Sequence, residues 1–213
     1  MNHPKTKLLL TISLLALASA ASAQQNGYYG GVSLGQAKIN ADASVLDNGL
    51  AASGGIGGMS SAIDSKNLGF KLRLGYQFSD RFAVEGGYVD FGRANYSGTY
   101  TIPGAGSASG RTEVGGVNFD VLGKLPLNRD FAVFGKAGVL LSRVESNAAS
   151  AGGSASVNYA ATTLRPGLGG GVDYALSKNV GLRAEWERYF KVGNDSTGKS
   201  DVDLLSLGLN YKY

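Results

Sequence analysis

From Asn67 to Phe78 the chain alternates without a fault. Leu68, Phe70, Leu72, Leu74, Tyr76 and Phe78 share one parity, and Asn67, Gly69, Lys71, Arg73, Gly75 and Gln77 share the other. Successive side chains on a strand point to opposite faces, so this stretch is a strand with one greasy and one cationic face. Two kinds of fold accommodate it. A soluble sandwich or lipocalin-like barrel turns the leucines inward and the lysine to water. A membrane barrel turns the leucines to lipid and shuts the cations inside.

The same test picks out seven more segments. Tyr28, Val32 and Leu34 share a face. Phe82, Val84 and Tyr88 oppose Glu85 and Gly87, and Val117, Phe119, Val121 and Leu125 oppose Asn118, Asp120 and Lys124. Phe131, Val133, Ala137, Val139 and Leu141 oppose Lys136, Gly138 and Ser142. Leu164, Leu168, Val172 and Tyr174 oppose Arg165, Gly169 and Asp173. Val180, Leu182, Ala184 and Trp186 oppose Arg183, Glu185 and Glu187, and Leu205, Leu207, Leu209, Tyr211 and Tyr213 oppose Ser206, Gly208, Asn210 and Lys212. Each segment is near the ~9–11 residues a tilted membrane strand needs. The connections alternate in length. They are long at 39–65, 93–110 and 146–156, tight at 79–81, 126–130 and 177–179, and of medium length at 191–200. Short turns on the periplasmic side and long loops outside are the asymmetry of an outer-membrane barrel.

Three features favour lipid over a soluble core. Tyr28, Tyr76, Phe78, Tyr174 and Tyr211 gather on the greasy faces near the short turns, and Trp186 shares that side of its strand. Amphipathic rings at one level suit a membrane interface. The polar faces are rich in glycine, as the narrow lumen of eight strands requires. The last segment ends the chain on an aromatic residue, and a closed barrel leaves it no edge to protect. The expected fold is therefore all-β, an eight-stranded antiparallel up-and-down transmembrane β-barrel. The soluble alternative predicts a mature chain that stays monodisperse without detergent.

The first residues read as an export signal rather than as part of that fold. Lys5 and Lys7 precede the apolar run Leu8 to Ala18, and Ala21-Ser22-Ala23 supplies a small-residue cleavage site. Residues 1–23 are expected to be removed as a signal peptide, which leaves 24–213 as the barrel domain. Loss of Lys5 and Lys7 takes the formal net charge from +4 to +2. A charge so small, on an exported chain, argues against nucleic acid as a partner. With no cysteine, no disulfide holds the exported chain together.

The runs "GYQFSDRFAVEGGYVDFGR", "GGVDYALSKNVGLRAEWE" and "LLSLGLNYKY" resemble the OmpA-like transmembrane domain family, and the likeness covers nearly the whole mature chain. The resemblance implies an inward glutamate, Glu85, within a salt-bridged plug of the lumen. It also implies Arg183 and Glu185 from the R-x-E run, Asp173 from "GGVDY", and Lys136 at an inward arginine's place. The family's inward lysine falls at Leu122 here, with Lys124 two places along on the same face. Leu209, Tyr211 and Tyr213 match the terminal sorting signal that the barrel-assembly machinery and periplasmic chaperones read. The family's periplasmic peptidoglycan-binding domain has no counterpart before Tyr213, so a tethering role is not expected.

Charges shut inside a lumen must pair or be hydrated. Lys71, Arg73, Asp120 and Lys124 join Glu85, Lys136, Asp173, Arg183 and Glu185 as the expected network, with Arg183 and Glu85 in central contact. Such a network either fills the lumen permanently or opens as a narrow ion path. Catalysis is not expected. The single histidine, His3, lies in the leader, no cysteine exists to act as nucleophile or zinc ligand, and Glu185 and Glu187 read as ion-pair partners. No metal or cofactor is implied. The string "GNDSTGKS" (193–200) spells a phosphate loop without the strand–turn–helix context that gives one meaning. The expected function is a structural and surface-interaction role in the outer membrane, with a small low-conductance porin as the alternative. Outer-membrane lipid and lipopolysaccharide are the expected partners. Rim cations such as Arg93, Arg111 and Arg143 would meet lipopolysaccharide phosphates, although with acids among them (Asp64, Asp90, Glu113, Glu145 and Asp201) the rim reads first as a solvated mixed surface. Host or phage surface ligands would meet the loops of a monomer, and Arg188 would reach into the headgroups.

Overall fold

The computed structural model describes residues 27–213, so the expected leader (1–23) lies outside the described residues. Nine strands and one helix follow in order: β1 (Gly27–Ile39), α1 (Ser44–Gly54), β2 (Ser60–Asp64), β3 (Lys66–Gln77), β4 (Phe82–Tyr100), β5 (Gly106–Pro126), β6 (Phe131–Ser150), β7 (Ser156–Ala175), β8 (Val180–Val192) and β9 (Ser200–Lys212). All but β2 form an antiparallel cylinder, which closes where β9 pairs with β1 from Tyr29↔Lys212 to Ile39↔Val202. The direction of the pleat is plain. Leu68 and Leu74 are 73% and 70% exposed, whereas Lys71 and Arg73 between them are 0% and 2% exposed. The greasy faces look outward and the ionic faces inward.

The three tight turns share one device. The side-chain oxygen of Ser79, Asn128 or Ser177 accepts hydrogen bonds from the amides two and three residues on, at 2.8–3.4 Å. Such local bonds substitute for the missing ladder partners and fix the hairpins.

At the other end the expected long loops are largely ordered. β4 to β7 run 19 to 21 residues, against 12 or 13 for β1, β3, β8 and β9. A membrane crossing uses about 10 of these, so the upper halves of β4–β7 stand outside the membrane as a curved sheet. β2 extends this sheet by pairing with β4 from Ser60↔Thr99 to Asp64↔Asn95, above the point where β3 leaves it. The connections expected at 93–110 and 146–156 therefore shrink to 101–105 and 151–155. The ladder hydrogen bonds satisfy polar backbone that loops would leave to water.

The first connection, expected as a loop from 39 to 65, holds α1. Leu46 and Leu50, one turn apart, are its buried residues. Asp42 accepts the Ser44 amide at 2.9 Å ahead of the helix, and this bond holds its carboxyl below the usual range. Gly55, at φ 63°, ends the helix by donating to the Ala51 carbonyl, a conformation that glycine adopts at little cost. The helix lies inside the curve of the sheet. Leu46, Leu50, Ile56, Tyr96, Ala108, Ala148, Ala155 and Val157 form one buried cluster there. Asp47 locks the arrangement by accepting hydrogen bonds from Tyr96 (2.5 Å) and Ser61 (2.7 Å). Burial, and then the adjacent Asp47 carboxylate, push the Tyr96 phenol well above its usual range, so it donates throughout neutral pH.

Asp47→Ala should cost the helix about 1–3 kcal/mol, since two buried donors lose their acceptor. Hydrogen exchange should speed up in the α1 amides and leave the membrane strands unchanged. In the native chain the raised Tyr96 pKa means the lock is fully present below the ordinary tyrosine range, about pH 10, and weakens above it. A single cysteine at Leu207 should be quenched by a lipid-phase reagent and one at Ser206 should not.

Candidate functional site: a charged lumen beneath an apolar plug

The inward residues of the cylinder form layers. At its periplasmic end a cup of about 480 Å³ opens between the tight turns, and Tyr29, Lys124, Asp173 and Arg183 are among its lining residues. Tyr29, Ala83, Leu122 and Phe134 are buried beside these charges, and the Phe134 ring carries the Arg183 guanidinium at 4.4 Å. Leu122, at the place of the family's inward lysine, is thus apolar core. Lys124 takes an ionic role from two residues away, at 3.2 Å from Asp173.

The charges are brought together as follows. Arg183 donates to Glu85 at 2.5 Å and to both oxygens of Asp173 at 2.6 and 2.9 Å. Lys71 contacts Glu185 at 3.0 Å and Glu187 at 2.7 Å. Lys136 contacts Glu187, Glu185 at 3.2 Å and Asp120 at 3.5 Å. Five cations (Lys71, Arg73, Lys124, Lys136 and Arg183) therefore face five carboxylates (Glu85, Asp120, Asp173, Glu185 and Glu187). Arg73 is the exception among these five. It is buried with no carboxylate within 4 Å, and it donates instead to Ser33 at 2.7 Å and Asn210 at 2.9 Å.

Inward parity alone did not mark several partners. Tyr29 donates to Glu85 at 2.7 Å and Tyr189 to Glu187 at 2.9 Å. Both carry the parity opposite to their exposed neighbours, and that parity was the one signal available for them. Glu187, read as an ion-pair acid, lies between Lys71 and Lys136, and Glu185 is shared by these two lysines and by Arg183 at 3.8 Å.

Above the charges the lumen is mostly apolar, with the buried hydroxyls of Ser142, Thr112 and Ser146 among its inward groups. Ala37, Ile39, Val89, Phe91, Ala94, Val114, Leu140, Val144, Tyr189, Val192, Val202 and Leu204 make one buried cluster. Phe91 enters it on the same parity as Glu85 and Val89, and the bulge between Asp90 and Arg93 then shifts the parity so that Ala94 and Tyr96 also face inward. Gly92, at φ 75°, takes the turn while Asp90 accepts its amide at 2.7 Å. α1 and the cluster it packs in lie beyond this layer.

On the outer surface Tyr28, Tyr76 and Phe78 meet edge to face near the short turns, with centroids 4.9 and 5.0 Å apart. Tyr174 and Tyr211 are exposed at the same end, and Tyr211 packs on Tyr213 at 5.2 Å. Leu209, Tyr211 and Tyr213 line the outer face of β9. Trp186 stands farther along β8, opposite Leu205. Arg188 does not reach out alone. It pairs with Asp203 on the next strand at 2.8 and 3.0 Å and lies 5.7 Å from the Trp186 ring. The 193–200 string forms a turn between β8 and β9, with no helix after it, in which Asn194 accepts the Ser196 and Thr197 amides.

A closed antiparallel cylinder with this inside-out polarity has a match among known families. The sequence profile of the OmpA-like transmembrane domain covers residues 23–213. The chain belongs to that family. Outer membrane protein A of Serratia marcescens is 27% identical over 214 residues, which are 98% of this chain and 56% of that protein. Its counterpart in Shigella flexneri is 26% identical over 213 residues, with the same coverage. The chain spans about half the length of the curated relatives it matches. The crystal structure of Neisserial surface protein A superposes with a TM-score of 0.54 at 18% identity, over 89% of this chain and 100% of that one. That likeness is one of fold. The OmpA-like barrel described here is an integral protein of the bacterial outer membrane.

Glu85→Ala should destabilise this OmpA-like barrel by about 3–5 kcal/mol, because it strips the buried Arg183 of one of its carboxylates. Urea unfolding in lipid should show strong coupling between Glu85→Ala and Arg183→Met. Arg73→Met should cost clearly less than Glu85→Ala, and additive effects at 85 and 183 would contradict the assigned contact.

Proposed function

We propose that this barrel is a non-conducting structural and surface-interaction protein of the outer membrane. The observation that carries this reading is the layering of the lumen. An ionic layer whose members share partners is overlain by twelve buried residues, mostly apolar, and then by α1. Ions have no favourable place in a layer whose buried side chains are mostly apolar. In this reading the charges serve as a permanent plug that fixes the strand register, and the upper halves of β4–β7 present an ordered platform to the surroundings.

Other roles fit the same picture. Residues 1–23 are removed on export. Tyr28, Tyr76, Phe78, Tyr174, Trp186 and Tyr211 anchor the barrel in the interfaces. Leu209, Tyr211 and Tyr213 are read by the assembly machinery after periplasmic chaperones deliver the chain. Arg93, Arg111 and Arg143 sit just above the greasy belt, where lipopolysaccharide phosphates would lie.

A low-conductance porin draws on a different observation. Lys71 and Lys136 share Glu185 and Glu187, so partners can exchange without leaving a charge bare. Planar-bilayer recording separates the two readings. The native chain should give no discrete steps, and small openings should appear only when the apolar layer is cut away by Phe91→Ala with Leu140→Ala. Regular, salt-dependent steps from the native chain would favour the porin.

A further inference from the structure

Closure removes every strand edge within the membrane, but not above it. β7 pairs with β6 along its whole length, from Phe131↔Tyr174 to Ala149↔Ser156. Its pairing with β8 begins only at Gly167↔Tyr189. Residues 156–166 are therefore an edge. The 193–199 turn covers the lower part of it, since Arg165 donates to the Gly193 carbonyl at 2.7 Å and Thr163 accepts the Gly193 amide at 3.4 Å. From Ser156 to Thr162 no hydrogen bond joins this edge to any other described residue beyond β6.

We infer that Ser156–Thr162 is a docking edge for an extended polypeptide segment, which adds to the extracellular sheet as a further strand. This deepens the surface-interaction reading and rests on it. Alternating amides and carbonyls along about 23 Å form a pattern that another extended peptide backbone complements. Exposed edges are normally guarded by lysine, proline, a bulge or shortness. This one has none of these guards: the segment reads Ser-Val-Asn-Tyr-Ala-Ala-Thr, has no charge, and carries no glycine or proline. The opposite open edge, β2, is only five residues long and ends on Asp64.

The faces describe the partner. Ser156, Asn158, Ala160 and Thr162 are exposed, small and neutral, while Val157 and Ala161 are buried, with Tyr159 partly buried between them. α1 backs the inner face closely, since a side chain at Gly49 would collide with Tyr159 and one at Gly54 with Ala155. An added strand thus finds apolar company on one side and no charge requirement on the other. A second copy is a poor occupant. Two barrels in one membrane point the same way, so their β7 edges would meet in parallel about a twofold axis, with like backbone groups opposed.

The test uses the full chain in lipid nanodiscs and a lysine-ended peptide of alternating threonine and valine. Amide exchange should slow about tenfold at alternate residues of 156–162. A twin peptide N-methylated at every second residue should give no protection, and Asn158→Lys with Ala160→Lys should weaken binding of the cationic peptide severalfold. Equal binding of the twin, or protection elsewhere, would overturn the edge. So would self-association that the two lysines abolish, which would make the occupant a second copy. If native cells adhere to host matrix and the double-lysine variant adheres equally, the edge fails while the surface-interaction reading stands. If neither adheres and the peptide still protects 156–162, that reading fails and the edge stands.

Discussion

Inside the cylinder a charge must find an opposite charge or neutral hydrogen-bond partners, and the rest of the structure follows from that. The ionic contacts reach across the lumen rather than along a strand: Lys71 on β3 meets Glu185 and Glu187 on β8, Lys136 on β6 meets the same pair, and Arg183 on β8 meets Glu85 on β4. A slip of one residue in any of these strands would turn its charge to lipid and its leucines to the lumen. A charge on the lipid face costs a few kcal/mol near the midplane. Its buried partner, left bare, costs more again. The network thus selects one register for strands whose greasy faces alone would tolerate several.

A single strand carries two opposite codes. In the membrane half of β7, Leu164 and Leu168 point outward and Arg165 points in. In the upper half, Val157 and Ala161 point inward, and Asn158 and Ala160 face out. The pleat is continuous and the parity unchanged, so it is the solvent that differs. Lipid rewards apolar side chains outside the sheet. Water rewards them inside, where α1 provides the second layer of a small soluble core. The exchange of composition between the two parities marks the outer membrane surface on β5 to β7, and on β4 the bulge between Asp90 and Arg93 adds a switch of parity.

That exchange also explains what the sequence made legible. Residues 67–78 announce their fold because lipid demands large apolar groups at every second place. Residues 101–115 and 145–160 hide theirs. Their inward positions are alanines, valines and serines, and a sheet backed by one short helix has room for little more. α1 was obscured likewise, since Leu46 and Leu50 are its only large buried groups within a run of Gly, Ala and Ser. Parity identified which charges look inward, but not which meet. Tyr29 and Tyr189 were lost among outward aromatics, and Arg73 is buried without the carboxylate its neighbours have. Pairing is a property of strands facing each other across a cylinder, and sequence distance carries no trace of it: Lys71 and Glu187 are 116 residues apart.

Water sets the last difference between the halves. In hydrocarbon an unpaired backbone amide costs several kcal/mol, so the membrane part of the sheet must close on itself. Above the membrane the same amide bonds to water at almost no net cost, and β7 runs on from 166 to 156 without β8 beside it. What lets the sheet project also leaves its backbone available. A strand edge that water satisfies well enough for the free protein is one that another backbone satisfies better, provided the newcomer buries some apolar surface as it pairs. The inner face of β7, already half roofed by α1, offers that surface.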